Sequence, residues 1–427
     1  MNDNRMYWIA LQNILGYGSV KISQILEQFD DIYDLFDAKI KRKDVKYLSD
    51  KEYKALTNPD FHSALEVLYY CEDNNIQIIT LDDEAYPNTL KRISAPPAVL
   101  YVRGNMPSFD EEFCVSMVGT RKSSLNGNIV ASTLAYRLAQ AGAIVISGGA
   151  DGIDTKCTQG ALFAKAPSVI VRPCGVDNPY LKDPEIEEAR NKVAQTGALI
   201  SEVQPLEGIK RNAFHVRNRL LAALCQAVVV VECPAISGVQ ITVSHALEYG
   251  KEIYVVPGDI SDERYVGSNK MLYDGATPVY SPYDVLQEYM SIYPHKLNAN
   301  NARILINEDD IYLGLQKKYS KPAKKKKTQV AKVYDFTKSK PVGEVLKVSE
   351  PVKWNQTNEP KESKILPEET ESEIKLVYSK LKNEAITFDQ ICKETELEAS
   401  TVMYAITELE IEGFVEALPG NKFILKN

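Results

Sequence analysis

The feature that most constrains the fold is a repeated unit between residues 113 and 276, in which an apolar, β-branched run precedes a glycine-rich turn and a helical pattern. The first unit places the run 113–118 before the turn 119–124, and the second places 143–146 before 147–152. Further strand-like runs follow, at 168–172, 198–201, 227–232 and 252–256. Strands and helices that alternate at this spacing are typical of a parallel sheet covered on both faces. The sequence therefore predicts an α/β core with a Rossmann-like, doubly wound parallel sheet.

The glycines of the two turns indicate an anion site. Where a buried parallel strand ends in glycines, backbone N–H groups at the start of the next helix can face an anion, and the helix dipole favours negative charge there. We expect one phosphate-bearing ligand to lie across Gly119, Gly148 and Gly152, with the Arg121 guanidinium binding a phosphate in a bidentate manner. The alternatives are that the glycines only let helices pack closely on strands and that Arg121 is a solvated loop residue.

Charge is strongly segregated along the chain. The net charge is −8, yet residues 317–340 hold ten lysines against one acid, whereas residues 366–427 hold thirteen acidic side chains against six lysines. The average therefore does not exclude a local polyanion site. The run Lys324–Lys327 is either a solubilising segment or a flexible cationic arm that strengthens DNA binding in a salt-dependent manner.

Composition and motifs exclude several classes of protein. No apolar run approaches the ~20 residues of a membrane-spanning helix, and the start lacks the basic-then-apolar order of a signal peptide, so we expect a cytoplasmic protein without a membrane partner. The seven cysteines form no Cys-x-x-Cys pair and the four histidines show no ligand spacing, which predicts reduced core thiols and no metal. Nucleophile-elbow, Walker and zincin motifs are absent from the sequence. We therefore expect a binding protein without a cofactor or catalytic residues rather than an enzyme.

Four regions are predicted. Residues 1–75 contain short helices around the turn Leu15-Gly16-Tyr17-Gly18, which is a helix-hairpin-helix (SAM-like) pattern. The exposed amides of such a turn can hold a DNA phosphate. The alternative is that the glycines merely join two packed helices. Residues 76–296 form the Rossmann-like core, and residues 297–366 form a lysine-rich flexible linker. Residues 367–427 show three helical segments and a terminal β-hairpin, which predicts a winged-helix domain. Its acidic charge favours a partner-binding or dimer-supporting role over DNA binding.

Ordered motif blocks between Asp82 and Ala276 carry a family resemblance. They comprise Asp82 with Tyr86-Pro87, Leu100 to Gly104, Val118-Gly119-Thr120-Arg121, Ser147-Gly148 with Gly152-Ile153-Asp154, Ser201-Glu202, Phe214 with Arg217-Asn218-Arg219, Glu232 with Ser237-Gly238 and Thr242, Val256-Pro257-Gly258, and Gly267 with Asn269. In this order the blocks resemble the DNA-processing protein A family, also called Smf. The resemblance implies a single-stranded DNA-binding protein of natural transformation that protects incoming DNA, loads a RecA-type recombinase and dimerises through its core.

The candidate DNA- or phosphate-binding residues lie in these turns and blocks: Gly119, Thr120, Arg121, Lys122, Ser147, Gly148, Gly149, Gly152, Asp154, Lys156, Lys210, Arg211, Arg217, Asn218, Arg219, Ser237, Gly238, Thr242, Gly267 and Asn269. For Arg217-Asn218-Arg219 the alternative is a structural ion-pair network with Glu202 or Glu232. For the three cations Lys156, Lys210 and Arg211, the alternative to phosphate binding is that they are solvated surface residues. For Ser237, Gly238 and Thr242, the alternative to phosphate binding is that they cap a helix.

Two departures from the family pattern bear on the ligand. Asp151 stands where the family usually has arginine, and Thr158 stands where it usually has histidine. A carboxylate at the mouth of an anion pocket repels phosphate. The alternatives to single-stranded DNA binding are therefore a nucleotide-binding enzyme or sensor that resembles the nucleotide phosphoribohydrolases, and a protein-interaction scaffold whose pocket binds no polyanion.

Overall fold

The computed structural model describes residues 4–29, 31–37, 40–179, 184–210, 212–302, 372–381, 384–411, 414–418 and 422–425. It divides the chain into two compact units, residues 1–311 and 312–427. Most of the expected linker, together with Lys324–Lys327 and the candidate Arg211, lies outside the described residues.

The first unit begins with five helices, as the sequence predicts for this region. They are α1 (Arg5–Leu15), α2 (Lys21–Leu26), α3 (Ile32–Asp37), α4 (Asp50–Thr57) and α5 (Phe61–Asp73). Their buried apolar side chains form a cluster that also includes Val99, Tyr101, Ile170 and Leu199 of the sheet. The helices and the sheet therefore share one core.

A nine-stranded sheet organises the rest of this unit. Its strands are β1 (Gln77–Thr80), β2 (Val99–Gly104), β3 (Cys114–Val118), β4 (Ile144–Ser147), β5 (Ser168–Val171), β6 (Ala198–Ser201), β7 (Ala227–Val230), β8 (Glu252–Val255) and β9 (Thr277–Pro278). The spatial order is β1-β2-β6-β5-β4-β3-β7-β8-β9. Strands β3 to β9 are mutually parallel, which confirms the predicted core, whereas β2 pairs antiparallel with both β1 and β6.

Helices cover both faces of the sheet. They are α6 (Asn88–Lys91), α7 (Leu125–Gln140), α8 (Ile153–Phe163), α9 (Pro184–Thr196), α10 (Ala213–Ala223), α11 (Val239–Glu248), α12 (Val266–Tyr273), α13 (Pro282–Leu286) and α14 (Ala299–Ala302), with a 3₁₀ turn at Glu263–Tyr265. Because strand side chains alternate, Val229 of β7 packs in the layer of α7 and α8, whereas Val228 and Val230 pack in the layer of α10 and α11. The doubly wound arrangement is thus confirmed.

The strand order places a crevice at the centre of the sheet. The chain moves from β3 outward through β4, β5 and β6, and then returns to the other side of β3 as β7. Ligands of open α/β sheets bind outside the carboxyl ends of the strands at such a reversal of strand order. Both glycine turns follow strands at this point, β3 and β4.

The second unit is a small three-helix domain with a sheet. It contains α15 (Ser372–Lys380), β10 (Ile386–Thr387), α16 (Phe388–Thr395), α17 (Ala399–Ile411), β11 (Val415–Leu418) and β12 (Lys422–Leu425), with the antiparallel strand order β10-β12-β11. Ile374, Val377, Ile406 and Phe423 are fully buried. The elements are those of the predicted winged helix, with the additional strand β10.

The cysteines agree with the predicted reduced thiols. All seven cysteines are free thiols. Burial raises the pKa of Cys71 and Cys233 to about 12, so these thiols stay protonated at neutral pH. Among the described residues, no helix has both the length and the apolar character needed to cross a membrane.

Candidate functional site

Three amides at the first glycine turn and the start of α7, those of Thr120, Ser124 and Gly127, are bonded within the protein. Ser124 caps α7 by accepting a hydrogen bond from Gly127 N at 2.8 Å, and its own N–H donates to the buried Glu232 carboxylate at 2.9 Å. The N–H of Thr120 donates to the Glu232 backbone oxygen at 2.9 Å. At the start of α7 the Glu232 carboxylate thus accepts from the amide of Ser124, and the anion site at the two glycine turns stays a prediction. The turn presents the exposed side chains of Arg121 and Lys122.

The second glycine turn packs directly against the first. Gly152 has a φ of +75°, and a Cβ at this position would lie 2.6 Å from the Arg121 backbone oxygen. The N–H of Ile153 donates to the Thr120 oxygen at 3.3 Å. Only glycine combines this backbone angle with so close an approach. The glycine at 152 therefore sets the distance between the two turns.

Arg217 and Asp154 flank Gly148 beneath the second turn. The Arg217 Nη1 donates to the backbone oxygens of Gly148 at 2.6 Å and Val171 at 2.5 Å. Asp154 Oδ2 accepts from the Gly148 N–H at 3.0 Å. Both side chains are more than nine-tenths buried. They fix the second turn at the carboxyl ends of β4 and β5 and bring one positive and one negative group to it.

Burial raises the pKa of Asp154 to about 6, and the positive charges of Arg217 and Arg121 oppose this shift only in part. A carboxyl group whose pKa is higher in the folded than in the unfolded chain gives stability that is complete below the unfolded pKa and is lost as the pH rises through the folded one. The carboxylate is therefore present at neutral pH at a cost in stability.

We expect the free energy of unfolding of the native protein, relative to that of Asp154→Asn, to rise by about 1.4 kcal/mol when the pH falls from 7.5 to 5. The reason is that the folded protein takes up a proton near pH 6 whereas the unfolded chain does not. Urea denaturation of both proteins at the two pH values measures the difference. Parallel curves for the two proteins would show that Asp154 titrates normally.

A cation and an aromatic ring lie together above the turns. The Arg121 guanidinium carbon is 4.3 Å from the centre of the Phe214 ring, and that of Arg217 is 5.9 Å from the same centre. Arg121 is exposed and Phe214 is half-buried in the first turn of α10. The edge of the sheet thus offers a guanidinium for phosphate beside a ring on which a base can stack.

The two arginines of the Arg217-Asn218-Arg219 block have different surroundings. Arg219 forms a buried bidentate pair with Glu202, at 3.1 and 2.7 Å, whereas Arg217 lies beside Gly148. The amide of Asn218 donates to the Gly238 oxygen at 3.2 Å and links α10 to the start of α11. The structural ion-pair network that was the alternative for this block is thus the one that Arg219 forms, with Glu202 as its partner.

The remaining predicted residues lie at the same edge of the sheet or on the adjoining helices. The hydroxyls of Ser147 and Thr158 share a hydrogen bond of 2.8 Å, and Lys156 donates to Gln159 at 3.1 Å. Ser237 accepts a hydrogen bond from the Val239 N–H at 3.3 Å, and the Asn269 amide donates to the Gly258 backbone oxygen at 3.2 Å. Lys210 forms an ion pair with Glu207. Thr242 is buried, Gly267 packs against Cys233, and Gly149 has a φ of +65°. Because these contacts are internal, the residues determine the shape of this edge of the sheet.

The turn Leu15-Gly16-Tyr17-Gly18 between α1 and α2 docks on the core. A Cβ at Gly18 would lie 2.8 Å from the Val216 side chain, and the Tyr17 hydroxyl donates to Glu207. The turn therefore lies next to the start of α10 and lines a cavity of about 350 Å³ with it.

The candidate DNA- or phosphate-binding residues do not include three residues that the structure brings to this edge. Phe214 precedes Arg217 by three residues, which places both on one face of α10. Arg172 follows the apolar run of β5, where an arginine at the carboxyl end of a strand is itself a signal. Glu232 is fully buried after β7, and its bond to Ser124 spans 108 residues of chain, which no local pattern reveals.

Comparison with known proteins identifies the family. Residues 77–290, half of the chain, match the family described as DNA recombination-mediator protein A. The chain belongs to that family. Residues 361–421 match the DprA winged helix domain, which agrees with the fold of the second unit. The resemblance drawn from the motif blocks is thereby confirmed, and the chain belongs to a DNA-processing family.

Relatives of this recombination-mediator family match over different lengths. The Smf protein of Synechocystis sp. is 25% identical over 428 residues, which cover 99% of each chain. The DNA processing protein DprA of Bacillus subtilis is 31% identical over 222 residues, which cover 52% of this chain and 74% of that protein. The structure of DNA processing protein A from Streptococcus pneumoniae superposes with a TM-score of 0.57 and 26% identity, covering 66% of this chain and 97% of that one.

Proposed function

We propose that this member of the DNA recombination-mediator protein A family binds single-stranded DNA across its two glycine turns. The observation that carries the proposal is the Arg121 guanidinium over the Phe214 ring at 4.3 Å, with the guanidinium of the buried Arg217 5.9 Å from the same ring centre. A cation holds phosphate, and a ring stacks with any base, so the pair suits a flexible strand of any sequence. A duplex keeps its bases stacked inside and offers none to Phe214. We therefore propose a preference for single strands.

Protection of the bound strand and its transfer to a RecA-type recombinase complete the proposed role, in keeping with a family described as a recombination mediator. The protein acts as a homodimer formed through its core, in the cytoplasm and without a cofactor. The Rossmann-like core, residues 76–296, binds DNA, and the acidic winged helix, residues 367–427, contacts protein partners. The contacts at the edge, where Asp154 and Glu232 accept hydrogen bonds from amides of the two turns, support a binding role rather than a catalytic one.

Two charge changes test the site in opposite directions. We expect Arg121→Ala to weaken the binding of a single-stranded oligonucleotide, and Asp151→Arg to strengthen it, each by about 1 kcal/mol or roughly fivefold at low salt. Asp151 is exposed in the second turn, where a carboxylate repels phosphate. Fluorescence anisotropy over a salt series, with single-stranded DNA, duplex DNA and mononucleotides as ligands, measures the change.

Lys296→Ala is the matched control. It removes one positive charge near Glu112, which precedes β3 and so lies at the amino edge of the sheet, opposite the glycine turns. Its affinity for DNA should equal that of the native protein. If duplex binds as tightly as single strands, or if neither change at the turns alters affinity, the turns are not a single-strand site. If Asp151→Arg instead abolishes mononucleotide binding and leaves DNA binding unchanged, the site is that of a nucleotide sensor.

A further inference from the structure

The N-terminal helices carry a positively charged segment on an acidic background. Residues 40–57, which comprise the turn before α4 and α4 itself, contain six basic and three acidic side chains. The other residues between 1 and 75 contain three basic and ten acidic ones. Charges of one sign that gather in one place repel each other and attract a ligand of the opposite sign. The segment thus differs from the rest of this region in the kind of ligand that it attracts.

Arg42 uses its charge inside the protein and joins the turn to α4. Its guanidinium donates to the Leu48 backbone oxygen at 2.6 Å and to the Asp50 carboxylate at 3.1 Å. The Tyr53 hydroxyl of α4 donates to the Ile40 backbone oxygen at 2.8 Å. The turn and α4 therefore form one continuous surface, and Arg42 belongs to its structure rather than to a ligand site.

Five lysines are exposed on this surface, and we call them the α4 surface: Lys41, Lys43, Lys46, Lys51 and Lys54. Within the described part of the chain, none of the five forms an ion pair. Two of the three carboxylates of the segment are already used, because Asp50 pairs with Arg42 at 3.1 Å and Glu52 pairs with Lys21 at 2.7 Å. Asp44 is left to offset five positive charges. The α4 surface therefore has a net positive charge that faces water.

Direct contacts connect the α4 surface with the proposed strand-binding pair. Gly18 lies against Val216, two residues after Phe214, since a Cβ at Gly18 would be 2.8 Å from the Val216 side chain. Three residues after Gly18, Lys21 begins α2 and its Nζ lies 2.7 Å from Oε1 of Glu52, in the first turn of α4. A strand that leaves Phe214 and passes the hairpin turn can therefore reach the α4 surface.

We propose that the α4 surface is a second contact for single-stranded DNA, which binds phosphates beyond the nucleotides held at Arg121 and Phe214. An ammonium group is a point charge on a flexible stem, so it suits a backbone that is bound without a fixed register. Each contact replaces a counterion of the strand, which makes the contact dependent on salt. The inference rests on the proposed function, because the strand reaches this surface from the glycine turns. It adds to that function a dependence on strand length.

The test compares a short and a long deoxythymidine strand by anisotropy on the full chain over a salt series. A strand of about 6 nucleotides falls within the usual size of one binding site, and a strand of about 30 exceeds it. The logarithm of the affinity falls with the logarithm of the salt concentration by about 0.7 for each phosphate contact of a single strand. In the double variant Lys51→Gln with Lys54→Gln, we expect this slope to become shallower by about 1.4 for the long strand and to stay unchanged for the short one.

The matched control is the double variant Lys165→Gln with Lys192→Gln, which also removes two positive charges. Both lysines are exposed, and they precede β5 and β6, so they lie toward the amino edge of the sheet, opposite the glycine turns. The control should leave the slopes for both strands unchanged. Circular dichroism establishes that each variant is folded, and Lys41→Gln with Lys43→Gln gives the same test in the turn should the change in α4 unfold the helix.

The outcomes separate this inference from the proposed function. An unchanged slope for the long strand, or an equal loss of affinity for the short and the long strand, would overturn the inference and leave the proposed function in place. A loss confined to duplex DNA would mean that the α4 surface holds a double-stranded segment, and this would also overturn the inference. Failure of the native protein to bind either single strand would instead overturn the proposed function.

Discussion

Arg219→Ala is expected to lower the free energy of unfolding by about 3–5 kcal/mol. Arg219 and Glu202 form a bidentate pair whose side chains are 6% and 4% exposed. Removing the arginine leaves the Glu202 carboxylate buried without its partner, at the point where the Glu202 backbone oxygen also accepts a hydrogen bond from Gln12 of α1 at 2.7 Å. The loss should therefore extend to the docking of the N-terminal helices.

Urea denaturation followed by circular dichroism measures this loss. The control is Lys270→Ala, which breaks an ion pair with Asp274 whose side chains are 65% and 54% exposed, and we expect it to cost less than about 1 kcal/mol. Replacing both partners, in Arg219→Met with Glu202→Leu, should recover most of the stability because no unpaired charge remains. A cost for Arg219→Ala as small as that of the control would mean that water reaches Glu202.

The sequence predicts the parallel strands well because both faces of each are buried, so they form continuous apolar runs. The same reasoning misses β1, since Gln77-Ile78-Ile79-Thr80 has only two apolar residues and follows a helix directly. It also misses the antiparallel direction of β2, which depends on its pairing with β6, nearly 100 residues later in the chain. Local patterns predict the kind of element, whereas edge pairing is set by distant contacts.

The candidate site shows the same division between local and distant information. The glycine turns follow from the strand-turn-helix pattern. The roles of Arg217 and Arg219 do not, because residues two apart on a helix point in different directions and the sequence does not say which direction faces the turns. In the same way, nothing near Glu232 in the sequence reveals that its carboxylate would accept a hydrogen bond from Ser124 at the start of α7.

Gly152→Ala is expected to lower the free energy of unfolding by about 3 kcal/mol and the affinity for single-stranded DNA by at least about tenfold. The new Cβ meets the backbone oxygens of Thr120 and Arg121, which cannot move as freely as a side chain. Overpacking of this kind costs about 1–3 kcal/mol, and the positive φ adds about 1–2 kcal/mol. The first turn must move away from the second, and Arg121 moves with it from its place over Phe214.

Gly250→Ala separates the cost of the positive backbone angle from the cost of the new contact between the turns. Gly250 has a φ of +66°, but a Cβ there meets no atom within 4 Å, and it lies before β8 at the amino edge of the sheet. It should therefore show only the cost of the backbone angle, about 1–2 kcal/mol, with unchanged DNA affinity. If Gly152→Ala lost stability but bound DNA as tightly as Gly250→Ala, the spacing of the two turns would not matter for binding. Because Arg121 is positioned by that spacing, such a result would also remove Arg121 and Phe214 as the strand-binding pair.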